Sequence, residues 1–308
     1  MSRIHEALKR AEQENHKEGL SSSSPAIDAV GRKAGGLSAA LQTATLDELP
    51  PDPEAAKAAF EGGELEAFLS TLPQREWNPD LKRMLFMDRD RHYDPGMEEF
   101  RSLRSRLYQL REKTDSLRTV MVASALPGEG KTFVSANLAQ ALVRQHGRRV
   151  LLIDADIRKP HMHESLGTIG TPGLIEYLSG EVEREAILQR APMDNLFFIA
   201  GGKAVSNPSE LIANGRFKKL IEEMKTAFHW IIVDSSPVIP VTDAPLIAPS
   251  CDGVVLVIQA DGTPVELAKR ARQEFKSVPV LGVVLNRTHD LPAESSYYYA
   301  YGRNGKSD

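Results

Sequence analysis

The chain has 308 residues, 41% of them apolar and 26% charged, with a formal net charge of −4 and a pI near 6.1. This composition supports a soluble globular core and excludes a protein that grips nucleic acid through bulk positive charge. One cysteine, Cys251, excludes an intramolecular disulfide framework and a multi-cysteine zinc site. No apolar run approaches the roughly 20 residues that span a bilayer.

Residues 2–14 read as a short amphipathic helix with Ile4, Ala7, Leu8 and Ala11 on one face. Met1–Arg10 has no apolar h-region, so no secretory signal is expected and the expected compartment is the cytoplasm. Residues 15–80 read as a weakly ordered linker with transient helix over 54–70. Ser21–Ser24, Gly35-Gly36 and Pro50-Pro51-Asp52-Pro53 interrupt it. From residue 97 the pattern changes. Phe100, Leu103, Leu107 and Leu110 recur at helical spacing. Strands then follow over 119–124, 149–154, 196–200, 230–234, 253–259 and 280–286, with helices between them over 132–146 and 209–227. The strands are continuous Val/Ile/Leu runs, which suits burial on both faces. Such alternation predicts an α/β fold with a mostly parallel sheet and helices on both faces. The expected division is 1–95 for the N-terminal helix and flexible linker, 96–290 for the sheet domain, and 291–308 for a flexible tyrosine-rich tail.

The segment Ala125-Leu126-Pro127-Gly128-Glu129-Gly130-Lys131-Thr132 follows the first strand and opens an amphipathic helix. That context is what a phosphate-binding loop requires. Gly128 and Gly130 let backbone N–H groups turn inward around phosphate oxygens, and the helix N-terminus adds its positive dipole end. Lys131 is expected on the β- and γ-phosphates and the Thr132 hydroxyl on Mg2+. A second buried strand delivers Asp154 and Asp156 at its carboxyl end, on one side of the strand, where α/β sheets place ligands. Two carboxylates beside phosphates call for a cation between them. A third strand ends in Asp234, the pattern of a further Mg2+-side carboxylate. Together the three segments supply the parts of phosphoryl transfer in order and make the fold P-loop NTPase-like.

These segments resemble the bacterial tyrosine kinases, the polysaccharide-biosynthesis tyrosine autokinases, which are P-loop proteins related to the MinD/ParA ATPases. The resemblance spans residues 95–301. Pro127–Thr132 is similar to the family's Walker A loop, Asp154-Ala155-Asp156-Ile157-Arg158-Lys159-Pro160 to its Walker A′, and Asp234-Ser235-Ser236-Pro237 to its Walker B. Asn207-Pro208-Ser209-Glu210-Leu211 and Gly282–Asn286 resemble further family segments. Glu98, Arg101 and Arg104 match the family's Glu-x-x-Arg-x-x-Arg motif, which joins subunits into a ring. The leader Ser2–Leu8 resembles those of members encoded with exosortase-linked exopolysaccharide systems. Leu126 stands where MinD/ParA relatives carry a signature lysine, which disfavours a switch of that type.

The resemblance implies an ATP- and Mg2+-dependent protein-tyrosine autokinase that regulates exopolysaccharide or capsule biosynthesis and export. Gly128, Glu129, Gly130, Lys131, Thr132 and Asn286 are expected to bind the nucleotide, with Asn286 on the adenine. Thr132, Asp156 and Asp234 are expected at the metal, Asp154 as base or orienter, and Arg158 on an acidic partner or the incoming tail. Tyr297, Tyr298, Tyr299 and Tyr301 are the expected phosphoacceptors, presented in trans to a neighbour in a ring-like homo-oligomer. A phenol has a pKa near 10 and an aspartate near 4, so full deprotonation before attack would cost about 8 kcal/mol. The base is therefore expected to act late, in a loose transition state. The implied partners are a separate transmembrane polysaccharide co-polymerase-type activator and a tyrosine phosphatase, with no nucleic acid. The chain is expected in the cytoplasm, peripheral at the inner membrane through its partner. Two rivals are a MinD/ParA-like ATPase switch without tyrosine transfer and a non-catalytic nucleotide-binding scaffold.

Overall fold

A computed structural model of the chain describes residues 63–87, 94–145, 147–205 and 208–288. The helix expected over 2–14, Asn207 and the tyrosines at 297–301 lie outside the described residues.

Seven strands form one sheet in the order β3-β4-β2-β5-β1-β6-β7. They are β1 (Thr119–Ser124), β2 (Val150–Asp154), β3 (Leu188–Arg190), β4 (Leu196–Ile199), β5 (Trp230–Asp234), β6 (Gly253–Gln259) and β7 (Val280–Asn286). All neighbours are parallel except the short β3, which runs antiparallel to β4. The six expected strands are present. The central ones are buried along their whole length, because helices cover both faces and alternate side chains enter two separate cores. Met121, Leu151 and Ile231 enter one core; Val120, Leu152 and Ile232 enter the other.

The first core is covered by α1 (63–71), α5 (Leu174–Ser179), α7 (Pro208–Ala213), α8 (Arg216–Ala227) and α9 (Asp243–Ile247). The second is covered by α2 (Pro95–Lys113), α3 (Lys131–Val143) and α4 (Met162–Leu166). The short α6 (Arg184–Ile187) leads into β3, and α10 (Val265–Gln273) joins β6 to β7. The start of α2 follows from local chemistry. The Asp94 carboxylate accepts the Gly96 N–H at 2.7 Å, and Pro95 supplies a preset φ. The single helix expected over 209–227 is instead two, because Gly215 turns the chain at φ +82°.

Two further expectations are corrected. The linker expected over 15–80 does not extend through 63–80. Residues 63–87 form a strap that wraps the β3 edge. Leu65 and Leu69 are buried in the first core, while Trp77, Met84, Leu85 and Phe86 are buried in the second. Between them Gln74 bridges Arg190 beside the edge strand, and the Arg75 N–H donates to the Arg190 carbonyl at 2.9 Å. The helix expected to be amphipathic over 132–146 is α3, and it is buried on nearly every side. The strap and α2 cover its outer face. Asn137 serves the strap as a backbone would, accepting from the Leu85 N–H at 2.9 Å and donating to the Arg83 carbonyl at 2.7 Å.

Candidate active site

The phosphate loop joins β1 to α3 through two left-handed residues, Gly128 (φ +82°) and Gly130 (φ +96°). Side chains disfavour that region, so these glycines let the backbone fold back on itself. A Cβ on Gly130 would lie 2.0 Å from the Asn286 amide nitrogen. That amide donates to the Glu129 carbonyl at 2.8 Å. The Glu129 side chain points inward, only 2% of the residue being exposed. Its carboxylate accepts the Leu126 N–H at 2.6 Å and the Thr263 hydroxyl. Glu129 and Asn286, expected among the nucleotide-binding residues, thus have side chains that brace the loop. On the open side, a Cβ at Gly128 would meet nothing within 4 Å.

Behind the loop, charged groups converge from the carboxyl ends of β2 and β5 and the start of α3. Lys131 Nζ lies 2.9 Å from Asp156, and both side chains are buried. The Thr132 hydroxyl donates to Asp234 at 2.7 Å, and Ser135 donates to its other oxygen at 2.9 Å. The Ser236 hydroxyl donates to Asp156 at 3.2 Å. Asp154 accepts the N–H groups of Asp156 at 3.2 Å and Met162 at 3.1 Å. Strand alternation does not set the aim of Asp156, because β2 ends at Asp154 and Asp156 stands in the following turn.

Three buried carboxylates face one lysine, and the electrostatics follow. Burial alone would lower the Lys131 pKa, but Asp234 and Asp156 outweigh it and hold the ammonium charged. Burial raises Asp234, with Lys131, Thr132 and Ser135 pulling the other way. Burial, reinforced by the charge of Asp234, pushes Asp154 up to about 8. Against a phenol, which titrates near 10, the gap in the metal-free site is therefore about two units rather than six. The oxygens of Thr132, Asp156 and Asp234 suit a hard cation that draws most of its shell from phosphate and water. Among the described residues, no three His, Cys, Asp or Glu side chains form a metal cage of their own.

Sequence reasoning missed Ser135 and Ser236. Ser135 lies one turn after Lys131 on α3, a spacing that could have flagged it. It also missed Asp243, whose carboxylate takes the Arg158 guanidinium and the Ser209 hydroxyl, the latter at 2.8 Å. Arg158 is therefore engaged beside the lysine cluster rather than within it. Glu98 and Arg101 pair with each other on α2 at 2.7 Å, whereas Arg104 donates to the Ala141 carbonyl near the end of α3 at 2.9 Å.

The model of the CobQ/CobB/MinD/ParA nucleotide binding domain matches residues 120–293. EpsB of Ralstonia nicotianae is 33% identical over 244 residues, 76% of this chain; the chain spans only 32% of that relative. The tyrosine-protein kinase CpsD of Streptococcus agalactiae is 36% identical over 194 residues, 62% of this chain and 83% of CpsD. The kinase domain of the Escherichia coli tyrosine kinase ETK superposes with a TM-score of 0.61 at 30% identity, over 67% of this chain and 82% of that structure. With its phosphate loop, its paired acids and these relatives, the chain belongs to the CobQ/CobB/MinD/ParA nucleotide-binding family and, within it, to the bacterial tyrosine kinases.

Proposed function

We propose that the chain is an ATP-dependent protein-tyrosine kinase that phosphorylates Tyr297, Tyr298, Tyr299 and Tyr301 of a neighbouring copy. The observation that carries this reading is the meeting of Lys131, Thr132, Asp154, Asp156 and Asp234 behind a phosphate loop with an open face. The backbone N–H groups of 128–132 and the α3 N-terminus would cradle the ATP phosphates. Lys131 would move its charge onto the β- and γ-phosphates. Mg2+, held through Thr132, Asp156 and Asp234, would neutralise phosphate charge and lower the proton affinity of the nearby acids. The tyrosine oxygen then forms a bond to the γ-phosphorus, the bond to the ADP oxygen breaks, and the phenolic proton passes to Asp154. The two N–H donors on Asp154 fix its carboxylate for that transfer. Positioning and charge neutralisation carry most of the rate in such a loose transition state.

In this reading the copies assemble as a ring through Glu98, Arg101 and Arg104, and four phosphates on one short tail repel and loosen it. A separate transmembrane co-polymerase-type activator would hold the kinase at the inner membrane. A tyrosine phosphatase would reset it, and the output would be control of exopolysaccharide or capsule export. No helix among the described residues is long and apolar enough to cross a membrane.

The test is tryptic mass spectrometry after incubation with Mg2+-ATP, beside Lys131→Met. Phosphate on the tail tyrosines of the wild type alone supports the kinase. ATP consumed without phosphotyrosine, even with the activator's cytoplasmic segment present, replaces it with an ATPase switch.

A further inference from the structure

The amino-terminal ends of β1, β2 and β5 lie at the opposite edge of the sheet from the phosphate loop. Four half-buried arginines gather there around the turn from α8 into β5. Arg118, Arg149 and Arg111 donate to the carbonyls of Lys225, Ala227 and His229 at 3.0, 3.0 and 2.8 Å. Arg111 also lies over the Trp230 ring, 5.0 Å from its centroid. Each guanidinium carries five donors in a rigid fork, so these anchors fix the planes and leave N–H groups to spare. The side chain of the fourth, Arg148, has no hydrogen-bond or ion-pair partner among the described residues.

The nearby carboxylates are mostly engaged. Glu66 pairs with Arg149 at 3.2 Å. Asp252 takes the Lys225 ammonium at 2.8 Å and the N–H groups of Arg118 and Thr119 at 2.9 and 2.7 Å. Asp115 is the remaining acid close enough to act on Arg111. Burial and then the four arginines depress the His229 pKa, which agrees with a surplus of positive charge. Like charges held this close favour an anion with several acceptor oxygens.

The chain supplies one segment that would acquire such charge. Residues 289–308 follow β7, carry Tyr297, Tyr298, Tyr299 and Tyr301, and are otherwise close to neutral. Each tyrosine phosphate adds about −1.5 to −2 charge and three acceptor oxygens. We propose that the arginine cluster at 111, 118, 148 and 149 is a docking site for the chain's own C-terminal segment once its tyrosines are phosphorylated. The proposal takes only the source of the phosphates from the kinase reading. Docking at this end would keep the product tail out of the phosphate site.

The test uses the full chain and two synthetic 289–308 peptides, one phosphorylated on all four tyrosines and one unmodified. Fluorescence anisotropy is read with saturating Mg2+-ADP in the active site, beside Arg148→Ala and Arg148→Glu. The expected result is phosphopeptide binding at least about tenfold tighter than that of the unmodified peptide. Arg148→Ala should weaken it by about tenfold, the worth of one charge-assisted hydrogen bond, and Arg148→Glu should weaken it further. Equal binding of the two peptides, or an Arg148→Ala variant that binds like wild type, overturns the proposal. So does Arg148-dependent binding to vesicles containing anionic lipid with none to the phosphopeptide. Because the peptides are synthetic, a chain that makes no phosphotyrosine but binds the phosphopeptide sinks the kinase reading and leaves the dock standing.

Discussion

The two ends of the sheet carry opposite chemistry, and the direction of the helices explains much of it. In a parallel α/β layout every helix that follows a strand begins at the carboxyl end and finishes at the amino end. The N-terminus of α3, with its unpaired N–H groups, opens beside Asp154 and Asp234. The last carbonyls of α8 emerge beside Arg118, Arg149 and Arg111. One end thus attracts anions and the other cations, following the helix dipole. The arginines obey that rule. The three carboxylates at the carboxyl end obey it too, but they crowd one another, and Lys131 with three hydroxyl groups offsets their mutual repulsion. Functional chemistry stands out where like charges are packed together more closely than the field of the frame alone would hold them.

The largest effect expected at the carboxyl end is that of Lys131→Met. It removes the ammonium that faces Asp156 and Asp234 and, in the proposed site, the charge-assisted contacts that ammonium would make to phosphate. Isothermal calorimetry should show nucleotide affinity falling about a hundredfold or more, with no phosphotransfer; retained affinity would break the assignment of the loop. Next comes the pH dependence of Asp154, raised from 3.8 to about 8. A carboxyl whose folded value lies above its unfolded value stabilises the fold below pH 3.8, and this contribution is lost as pH rises to about 8. For the nucleotide-free protein, urea denaturation should show wild type losing stability relative to Asp154→Asn across that window, on the order of 5 kcal/mol. The asparagine leaves one of two N–H groups unpaired, a constant cost of about 1–3 kcal/mol that does not change the slope.

The strap at the β3 edge gives the next effect. Phe86 is 1% exposed and packs near Phe100 and Arg144. Phe86→Ala should cost about 3–5 kcal/mol by the same denaturation assay; a loss below 1 kcal/mol would make the strap a passive cover. Smallest is Glu98→Ala, which breaks an exposed pair on α2 and should change chain stability by under about 1 kcal/mol. Light scattering would show dissociation of the assembly if Glu98 joins copies, and no change if the pair serves only its own helix.

Much of the carboxyl end was legible in sequence, because continuous Val/Ile/Leu runs mark buried strands and glycines mark the loop between them. Asp154 and Asp234 stand at strand ends as expected, whereas Lys131 joins them from the start of α3 and Asp156 from the segment after β2. The strap was legible only at its start, where helix was expected over 54–70 and Leu65 and Leu69 stand one turn apart on α1. Beyond it, Trp77 and Phe86 follow no helical or strand period, since that part binds through backbone groups and isolated anchors. The all-round burial of α3 was not legible, because Ser135, Asn137 and Gln140 look like a solvent face and are instead 0% exposed. The aim of Arg158 depended on Asp243, 85 residues away, which no local pattern reports.

The amide of Asn286 rests on the Glu129 carbonyl across a sequence separation of 157 residues. A ribosome that adds about 5–20 residues per second therefore leaves the phosphate loop without this brace for about 8–30 s after Glu129 is made. During that interval the nascent chain has its glycine turn but not the last strand that closes behind it. A chain that stalls before residue 286 is born without this brace behind its phosphate loop.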